Sequence, residues 1–228
     1  MENITNDKVT DFINDYYRPL DTYIGDLRKR CEDGGIPIIL KETEIFFNTF
    51  LKMLSPKRML EIGTAYGYSS IFFAKAVPGL FVTTIEKDQK MADAAHADID
   101  EAGLSDKIRV YEGDALEILD ALRYPGCDSA NDCGFDFVFI DASKSRYREF
   151  FNGAVKLCNY GAVIVCDNVL LKASVTDSRY DFRKRRHSTN IRKMREFLDY
   201  VHSLDGIDVS LLSCGDGLLI AKLVGDGR

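Results

Sequence analysis

The sequence of 228 residues has no tryptophan, only three histidines and only five prolines. It has no apolar run near the roughly 20 residues that span a bilayer, and its polar start MENITNDKVTDF predicts no signal peptide. It also lacks the GxGxxG dinucleotide fingerprint, the P-loop and the GxSxG elbow. These absences argue against a membrane protein, a nicotinamide oxidoreductase, a nucleotide triphosphatase and a serine hydrolase.

Six cysteines are scattered along the chain, which favours a reduced, cytoplasmic protein. Cys127 and Cys133 flank the polar stretch CDSANDC, but two thiols without a second pair or a nearby histidine make a poor zinc site. Apolar residues make up 46% of the chain and charged residues 29%, as in ordinary globular proteins. The length predicts a single domain over 1–228, with N-terminal helices over 1–55 and a core over 56–228.

Hydrophobic periodicity predicts strands that alternate with helices after an N-terminal helical region. The predicted strands are 58–62, 81–86, 108–112, 135–141 and 161–166. The predicted helices are 3–18, 20–32, 42–54, 68–77, 88–102, 114–122, 145–158 and 188–204. The C-terminal IDVSLLSCGDGLLIAKL reads as two strands joined by a turn. The pattern predicts an α/β fold whose mostly parallel sheet carries helices on both faces and ends in an antiparallel hairpin.

The stretch MLEIGTAYGYSS carries the strongest functional signal in the sequence. An apolar strand stops at Glu61, Gly63 and Gly67, and a helix begins at Tyr68. Open α/β sheets bind ligands at such a strand–loop–helix junction. The next strand ends at Glu86, whose carboxylate could accept hydrogen bonds from both hydroxyls of a ribose. Because the loop lacks the glycine pattern that seats a pyrophosphate, the sequence favours an adenosine ligand without phosphates, namely S-adenosylmethionine.

Acidic residues follow the end of every predicted parallel strand. These positions are Glu61 with Gly63, Glu86, Gly113 with Asp114, Asp141, and Asp167 with Asn168. The carboxyl ends of parallel strands line one sheet edge, so their side chains should converge there. Asp114 alone would equally suit a helix cap.

The last two strand ends predict a magnesium site. Asp141, Asp167 and Asn168 offer hard oxygen ligands, which suit Mg²⁺ rather than zinc. Lys144 lies three residues beyond Asp141 and could accept or steer a proton from a substrate hydroxyl. The alternatives are an Asx turn at Asp167-Asn168 and a solvated lysine at a helix start. The three histidines, at 96, 187 and 202, are expected at the surface.

The net charge of −6 hides a basic segment. Residues 172–195 contain nine Lys or Arg and two Asp or Glu, a balance of +7, so the rest of the chain carries −13. The run Arg183, Lys184, Arg185 and Arg186 could neutralise RNA phosphates, and Tyr180 and Phe182 could stack on an exposed base. The alternatives are a solvated helix start and a site for the phosphates of a coenzyme A thioester.

Six segments together resemble the magnesium-dependent class I O-methyltransferases. They are EIGTAYGYS, TIEKD, GDAL, FIDASKSRY, VCDNVLLKASV and GDGLLIAKL, and the similarity extends from about residue 36 to residue 223. This family includes catechol and caffeoyl-CoA O-methyltransferases and the bacterial enzymes that methylate 5-hydroxyuridine in tRNA. The resemblance implies a Rossmann-like, seven-stranded sheet with its last strand antiparallel, and a homodimer.

The resemblance also assigns roles by position. It implies Asp141, Asp167 and Asn168 as metal ligands, and Lys144 with Asp141 as catalytic residues. It implies cofactor contacts at Ile39, Glu61, Gly63, Ser69, Glu86, Gly113, Asp114 and Asp141. The stretch CDSANDC departs from plant and animal members of the family.

The closest similarity, with its basic stretch and short N-terminal helices, is to the tRNA 5-hydroxyuridine methyltransferases. The expected substrate is therefore the wobble uridine, position 34, in the anticodon loop of tRNA, which would become 5-methoxyuridine. A small catechol-like or caffeoyl-CoA-like phenol is the alternative, because its adjacent oxygens could chelate the same ion. A rival hypothesis is an RNA-binding protein without catalytic activity.

Overall fold

A computed structural model describes residues 6–122, 134–176 and 188–225. The helices in these ranges are α1 (Asp7–Asn14), α2 (Thr22–Asp33), α3 (Lys41–Leu54), α4 (Tyr68–Ala76), α5 (Gln89–Glu101), α6 (Ala115–Ala121), α7 (Tyr147–Val155) and α8 (Ser188–His202). The strands are β1 (Arg58–Ile62), β2 (Phe81–Glu86), β3 (Ile108–Glu112), β4 (Phe135–Ile140), β5 (Cys158–Cys166), β6 (Ile207–Leu212) and β7 (Leu218–Leu223).

The strands form one sheet in the order β3-β2-β1-β4-β5-β7-β6. Strand β7 runs antiparallel to β5 and to β6, whereas β1–β2, β2–β3 and β4–β5 are parallel pairs. This confirms the predicted α/β fold with its mostly parallel sheet and antiparallel C-terminal hairpin. No helix in the described ranges is long and apolar enough to cross a membrane.

The chain divides into two compact units. The first, Lys8–Leu122, contains β1 to β3, helices α2 to α6 and all of α1 except its first residue, Asp7. Its strand ends carry most of the predicted cofactor residues. The second contains the described residues from 134 onwards, and its strands β4 and β5 carry the predicted metal ligands. The single domain expected over 1–228 stays a prediction.

In the first unit, sequence-local caps define where helices begin. The side chain of Asp21 accepts a hydrogen bond from the Ile24 amide at the start of α2, and Asp88 caps α5 in the same way. Helix α4 instead begins after Gly67, which adopts a left-handed conformation with φ 80°. A Cβ there would lie 3.2 Å from the Cβ of Ala95, so glycine permits both the turn and the close packing of α4 on α5.

In the second unit, β4 and β5 form the buried centre. Five of the six β4 residues are buried, as expected for a strand covered on both faces. The predicted helix 145–158 and strand 161–166 are wrong at their junction, because α7 ends at Val155 and β5 begins at Cys158. Cys158 pairs with Phe135, and the Asn159 side chain makes two hydrogen bonds to the Gly134 backbone, which extends the pairing beyond the apolar run.

Candidate functional site

The loop after β1 is held by backbone hydrogen bonds that reach across to β2. The Gly63 amide donates to the Ile85 carbonyl at 3.0 Å, and the Ala65 amide donates to the Glu86 carboxylate at 2.8 Å. Gly63, Ala65 and Gly67 have φ values of 103°, 47° and 80°, so the loop adopts a positive φ at three positions. The junction predicted from MLEIGTAYGYSS therefore exists as a tight loop that opens α4.

Glu61 is completely buried beneath this loop. Its carboxylate accepts hydrogen bonds from the hydroxyls of Ser69 at 2.5 Å and Thr84 at 2.6 Å, and from that of Ser70. Several hydrogen bonds offset much of the cost of burying a carboxylate. Glu61 thus fixes the first turn of α4, on which Ser69 lies. Direct contact of Glu61 or Ser69 with a cofactor stays a prediction.

Glu86 lies at the end of β2 and is half-buried. Its carboxylate accepts hydrogen bonds from three backbone amides, those of Ala65 at 2.8 Å, Lys87 at 2.8 Å and Asp88 at 2.9 Å. A carboxylate offers roughly four acceptor positions. The bonds to the protein thus orient Glu86 and leave acceptor capacity for a ligand hydroxyl. Contact of Glu86 with a ribose stays a prediction.

Gly113 and Asp114 follow β3. The Gly113 amide donates to the Glu86 carbonyl at 2.8 Å, and its φ of 144° favours glycine. Asp114 caps α6 by accepting a hydrogen bond from the Leu116 amide at 3.0 Å, and Lys87 lies 3.4 Å from its other oxygen. The capping alternative for Asp114 is therefore confirmed. A further role towards a cofactor stays a prediction.

Ile39 is buried, and its carbonyl accepts a hydrogen bond from Arg28 at 2.9 Å. This bond is part of a buried polar network formed by Tyr17, Arg28, Glu44 and Tyr68, which the sequence interpretation missed. A signal was available, because Arg28 lies on the same stripe of α2 as apolar buried residues. A charged residue on the apolar face of a helix indicates a buried partner.

In the second unit, Lys144 joins two of the predicted metal ligands. Its ammonium group donates to Asp141 Oδ1 at 2.6 Å and to Asn168 Oδ1 at 2.8 Å. Lys144 begins a 3₁₀ turn after β4, whereas Asn168 follows β5, so the parallel pair β4–β5 brings these side chains together. Lys144 is therefore not a freely solvated lysine. Its part in proton transfer stays a prediction.

Asp167 is the most buried member of this cluster. One of its oxygens accepts hydrogen bonds from the backbone amide of Asn168 at 2.6 Å and from its side-chain amide at 3.1 Å. Burial raises the pKa of the Asp167 carboxyl, and the negative charge of Asp141 raises it further, although Lys144 opposes the change. Asp141 and Asp167 thus lie in a partly desolvated site beside the Lys144 ammonium group, and Asp216 is near enough to raise the pKa of Asp167 as well.

Tyr147 makes hydrogen bonds to this cluster, and the sequence interpretation did not identify it. Its hydroxyl donates to the Asp167 carbonyl at 2.8 Å and accepts from Lys144 at 2.8 Å. Burial holds the pKa of Tyr147 well above its usual range, so the hydroxyl keeps its proton and can donate. The sequence shows Tyr147 only as an apolar-face residue of α7, three positions after Lys144.

The backbone after β5 is unusual. Asn168 has φ 56°, and Leu171, Lys172 and Ala173 have φ values of 48°, 52° and 61°. Three successive non-glycine residues in the left-handed region are strained, and such strain persists only where other contacts enforce it. Asp216, in the turn between β6 and β7, enforces it here: its carboxylate accepts the Lys172 amide at 2.5 Å.

Several predicted residues lie outside the described residues. Arg183, Lys184, Arg185, Arg186, Tyr180, Phe182, His187, Cys127 and Cys133 belong to this group. His96 and His202 are exposed, as predicted. Within the described ranges, no three His, Cys, Asp or Glu side chains group as metal ligands, so an ion at Asp141 and Asp167 would need the Asn168 oxygen as its third protein donor.

Residues 22–224 match the family model described as O-methyltransferase. A catechol O-methyltransferase of Niastella koreensis is 34% identical over 179 residues, covering 72% of this chain and 78% of that protein. A caffeoyl-CoA O-methyltransferase of Populus kitakamiensis is 32% identical, covering 78% of this chain and 74% of that protein.

Solved structures give the same picture of the fold. An O-methyltransferase of Streptomyces achromogenes involved in tomaymycin synthesis, in complex with S-adenosylmethionine, superposes with a TM-score of 0.80 at 27% identity and covers 96% of both chains. An O-methyltransferase of Bacillus cereus in complex with S-adenosylhomocysteine gives 0.79 at 26% identity, covering 95% of this chain and 97% of that one. These similarities confirm the predicted Rossmann-like fold.

Proposed function

This chain belongs to the O-methyltransferase family, and we propose that it transfers the methyl group of S-adenosylmethionine to a hydroxyl of a catechol-like phenol with the help of Mg²⁺. The observation that carries the proposal is the Lys144 cluster, in which one ammonium group bonds both Asp141 and Asn168. The relatives named for catechol and caffeoyl-CoA support a phenolic acceptor better than the tRNA substrate expected from the sequence.

The donor set fits magnesium. Asp141, Asp167 and Asn168 would hold the ion through oxygen atoms alone, the chemistry that Mg²⁺ prefers. A cation held there would stabilise the ionised form of Asp167, whose pKa burial raises. When bound, the ion would supply Lewis acidity beside the acceptor, which would favour loss of its hydroxyl proton.

The protein residues then have defined tasks. An ammonium group has no lone pair, so Lys144 would first pass a proton to the hydrogen-bonded Asp141 carboxylate and would then accept the hydroxyl proton of the acceptor, while the Tyr147 hydroxyl holds its nitrogen in place. S-adenosylmethionine would bind at the ends of β1 and β2, which carry Glu61 and Glu86. Its methyl–sulfur bond would break as the acceptor oxygen bonds the methyl carbon, and S-adenosylhomocysteine would leave. Orienting two reactants can contribute roughly 7–11 kcal/mol to lowering a barrier, so the proposal asks mainly for positioning.

A methyl-transfer assay tests the proposal. Purified protein with S-adenosylmethionine is offered catechol and caffeoyl-CoA, with and without Mg²⁺, and products are followed by mass spectrometry. We expect methylation of an adjacent-hydroxyl phenol that chelation with EDTA abolishes and Mg²⁺ restores. Methylation that persists in EDTA would contradict the metal assignment, and absence of any phenolic product would contradict the acceptor class.

The tRNA substrate remains a second candidate because of the +7 balance of residues 172–195. Hypomodified tRNA in the same assay decides it, since the ring hydroxyl and neighbouring carbonyl of 5-hydroxyuridine could chelate as a catechol does. Changing Arg183, Lys184, Arg185 and Arg186 to Glu should then abolish tRNA methylation and spare phenols.

The expected homodimer is likewise a proposal. Light scattering on the purified protein tests it.

A further inference from the structure

A charged pair is buried between α2 and α3 in the first unit. Arg28 is 4% exposed and Glu44 is 2% exposed, and their side chains meet at 2.5 Å. Arg28 shares its helix face with the buried residues Ile24, Leu27 and Cys31. Arg28 also pairs with Glu32 at 3.0 Å, at the partly exposed edge of the network. Removing the Arg28 and Glu44 charges from water costs more than such pairs usually return, so an apolar pair would stabilise these helices as well or better. The pair therefore calls for an explanation other than stability.

Two tyrosines complete the network. The hydroxyls of Tyr17 and Tyr68 donate to the two oxygens of Glu44 at 2.8 and 2.6 Å, and Arg28 Nε lies 3.0 Å from each hydroxyl. The guanidinium carbon also lies 5.2 and 4.9 Å from the centres of the two rings. Burial, with the charge of Glu44, raises the pKa of Tyr17 to about 12 and that of Tyr68 as well, so both remain donors.

The network ends at two segments that belong to the candidate cofactor site. Arg28 Nη2 donates to the carbonyl of Ile39. Ile39 directly precedes Leu40, the N-cap residue of α3. Tyr68 is the first residue of α4, directly after Gly67, which ends the loop after β1. The next residue, Ser69, is the one that Glu61 holds. One guanidinium therefore fixes a backbone carbonyl on one segment and a side chain on the other.

We propose that Arg28 and Glu44 are positioning residues for S-adenosylmethionine, an inference that rests on the proposed cofactor site. They hold the Ile39 segment and the first turn of α4 in one arrangement without touching the cofactor. An apolar pair could fill the same volume but could not bond the Ile39 carbonyl and the Tyr68 hydroxyl. Cofactor affinity, rather than stability, is the property that the buried charges maintain.

Arg30 provides a matched control on the same helix. It is two residues from Arg28 and also forms ion pairs, with Asp98 at 3.1 Å and Glu101 at 2.8 Å, but at the exposed surface. Titration calorimetry with S-adenosylmethionine should show affinity about tenfold or more weaker in Arg28→Met. Arg30→Met should stay within about twofold of the wild type. Equal loss in both variants would overturn the proposal.

A double variant separates positioning from folding. Arg28→Met leaves Glu44 buried without its cation, so it can lower the melting temperature for reasons unrelated to the cofactor. Arg28→Met combined with Glu44→Leu removes both charges and should recover most of the lost melting temperature, although the hydroxyls of Tyr17 and Tyr68 lose their acceptor. We expect the cofactor affinity of this double variant to remain about tenfold weak. A double variant that melts and binds like the wild type would overturn the proposal.

Two further measurements assign any failure to the correct premise. Binding of Mn²⁺ by the second unit, followed by electron paramagnetic resonance, should be unchanged in the Arg28 variants, because the proposed ligands Asp141 and Asn168 lie outside the network. A wild type that binds no S-adenosylmethionine would overturn the cofactor assignment itself. A wild type that binds it, with a double variant that binds equally well, would overturn the positioning role alone.

Discussion

The acids at the ends of β1 and β2 differ from those at the ends of β4 and β5 in the donors that hold them. Glu61 accepts hydrogen bonds from side-chain hydroxyls, and Glu86 accepts them from backbone amides. Asp141 instead bonds the ammonium of Lys144, and Asp167 lies nearby with a raised pKa because of its burial. Both regions present carboxylates at the ends of parallel strands, yet they are built from different donors.

This difference separates two kinds of ligand. Neutral donors leave a carboxylate oriented and charged, ready to accept a hydrogen bond from a neutral hydroxyl such as that of a ribose. Two neighbouring carboxyl groups, one of them buried, are instead stabilised in their ionised forms by a divalent cation that binds both. The same residue types at equivalent strand ends can therefore serve a cofactor in one unit and a metal in the other.

The largest effect that would test this comparison is expected for Asp167→Asn. The substitution keeps the shape of the buried side chain but removes its charge, so the proposed Mg²⁺ ligand set loses half of its carboxylate charge. We expect kcat/KM for a catechol to fall by about 100- to 1,000-fold and Mn²⁺ binding to weaken in parallel, while S-adenosylmethionine affinity stays within about twofold.

Asp136→Asn is the matched control, because Asp136 lies near the other end of β4 and bonds Asn159 at 2.8 Å. It should retain metal binding and activity. If Asp167→Asn lost cofactor affinity as strongly as metal affinity, the division of tasks between the two sets of strand ends would be wrong.

A smaller effect is expected for Glu61→Gln, in the other region. The amide cannot accept all the hydroxyl hydrogen bonds that the buried carboxylate accepts, so at least one group is left poorly satisfied. We expect the free energy of unfolding to fall by about 1–3 kcal/mol, together with weaker S-adenosylmethionine binding and unchanged Mn²⁺ binding. Urea denaturation and calorimetry measure these quantities.

Glu112→Gln controls for the charge change, since Glu112 ends the neighbouring strand β3 but is exposed. Its effect on stability should lie within about 0.5 kcal/mol. Should Glu61→Gln weaken Mn²⁺ binding instead of cofactor binding, the two regions would not be the separate sites that their donors indicate.

The features that follow from chain-local rules could be predicted from the sequence. Parallel strands bring their carboxyl ends to one edge, so Asp141 and Asn168 were expected to meet, and Lys144 bonds both of them. The cap formed by Asp114 also follows from its place before a helix. These predictions need only the order of elements and the position of a residue within its own element.

Features that depend on contacts between distant segments were not predictable in the same way. Arg28, Glu44 and Tyr68 come from three different helices, and nothing local in the sequence states which of their faces meet. The extension of β5 to Cys158 depends on pairing with β4, and Asp216 acts on Lys172 from a turn 44 residues away. Tertiary packing, rather than propensity, decides these positions.

The next effect in size concerns the strained backbone of the metal-side region. Gly217 has φ 88°, and a Cβ there would collide with the side chain of Leu170. Gly217→Ala should therefore displace the segment that Asp216 holds, lower stability by about 1–3 kcal/mol and weaken Mn²⁺ binding.

Gly161→Ala is the control, because Gly161 has φ 76° but open space around it. It should cost only the backbone strain, about 1 kcal/mol, with Mn²⁺ affinity retained; equal Mn²⁺ affinity in both variants would contradict the role given to the strained loop.

The smallest effect distinguishes a helix cap from a cofactor contact at Asp114. Asp114 and Asp88 each follow a strand of the first unit and cap the next helix, through Leu116 in one case and Lys90 and Met91 in the other. Replacing either by Ala should lower stability by about 1 kcal/mol, because each removes one cap. Only Asp114→Ala should also weaken S-adenosylmethionine binding, since the family resemblance assigns a contact to Asp114 and none to Asp88. Equal cofactor affinities in the two variants would reduce Asp114 to a cap and leave Glu86 as the only acid beyond Glu61 proposed to serve the cofactor at the ends of β1, β2 and β3.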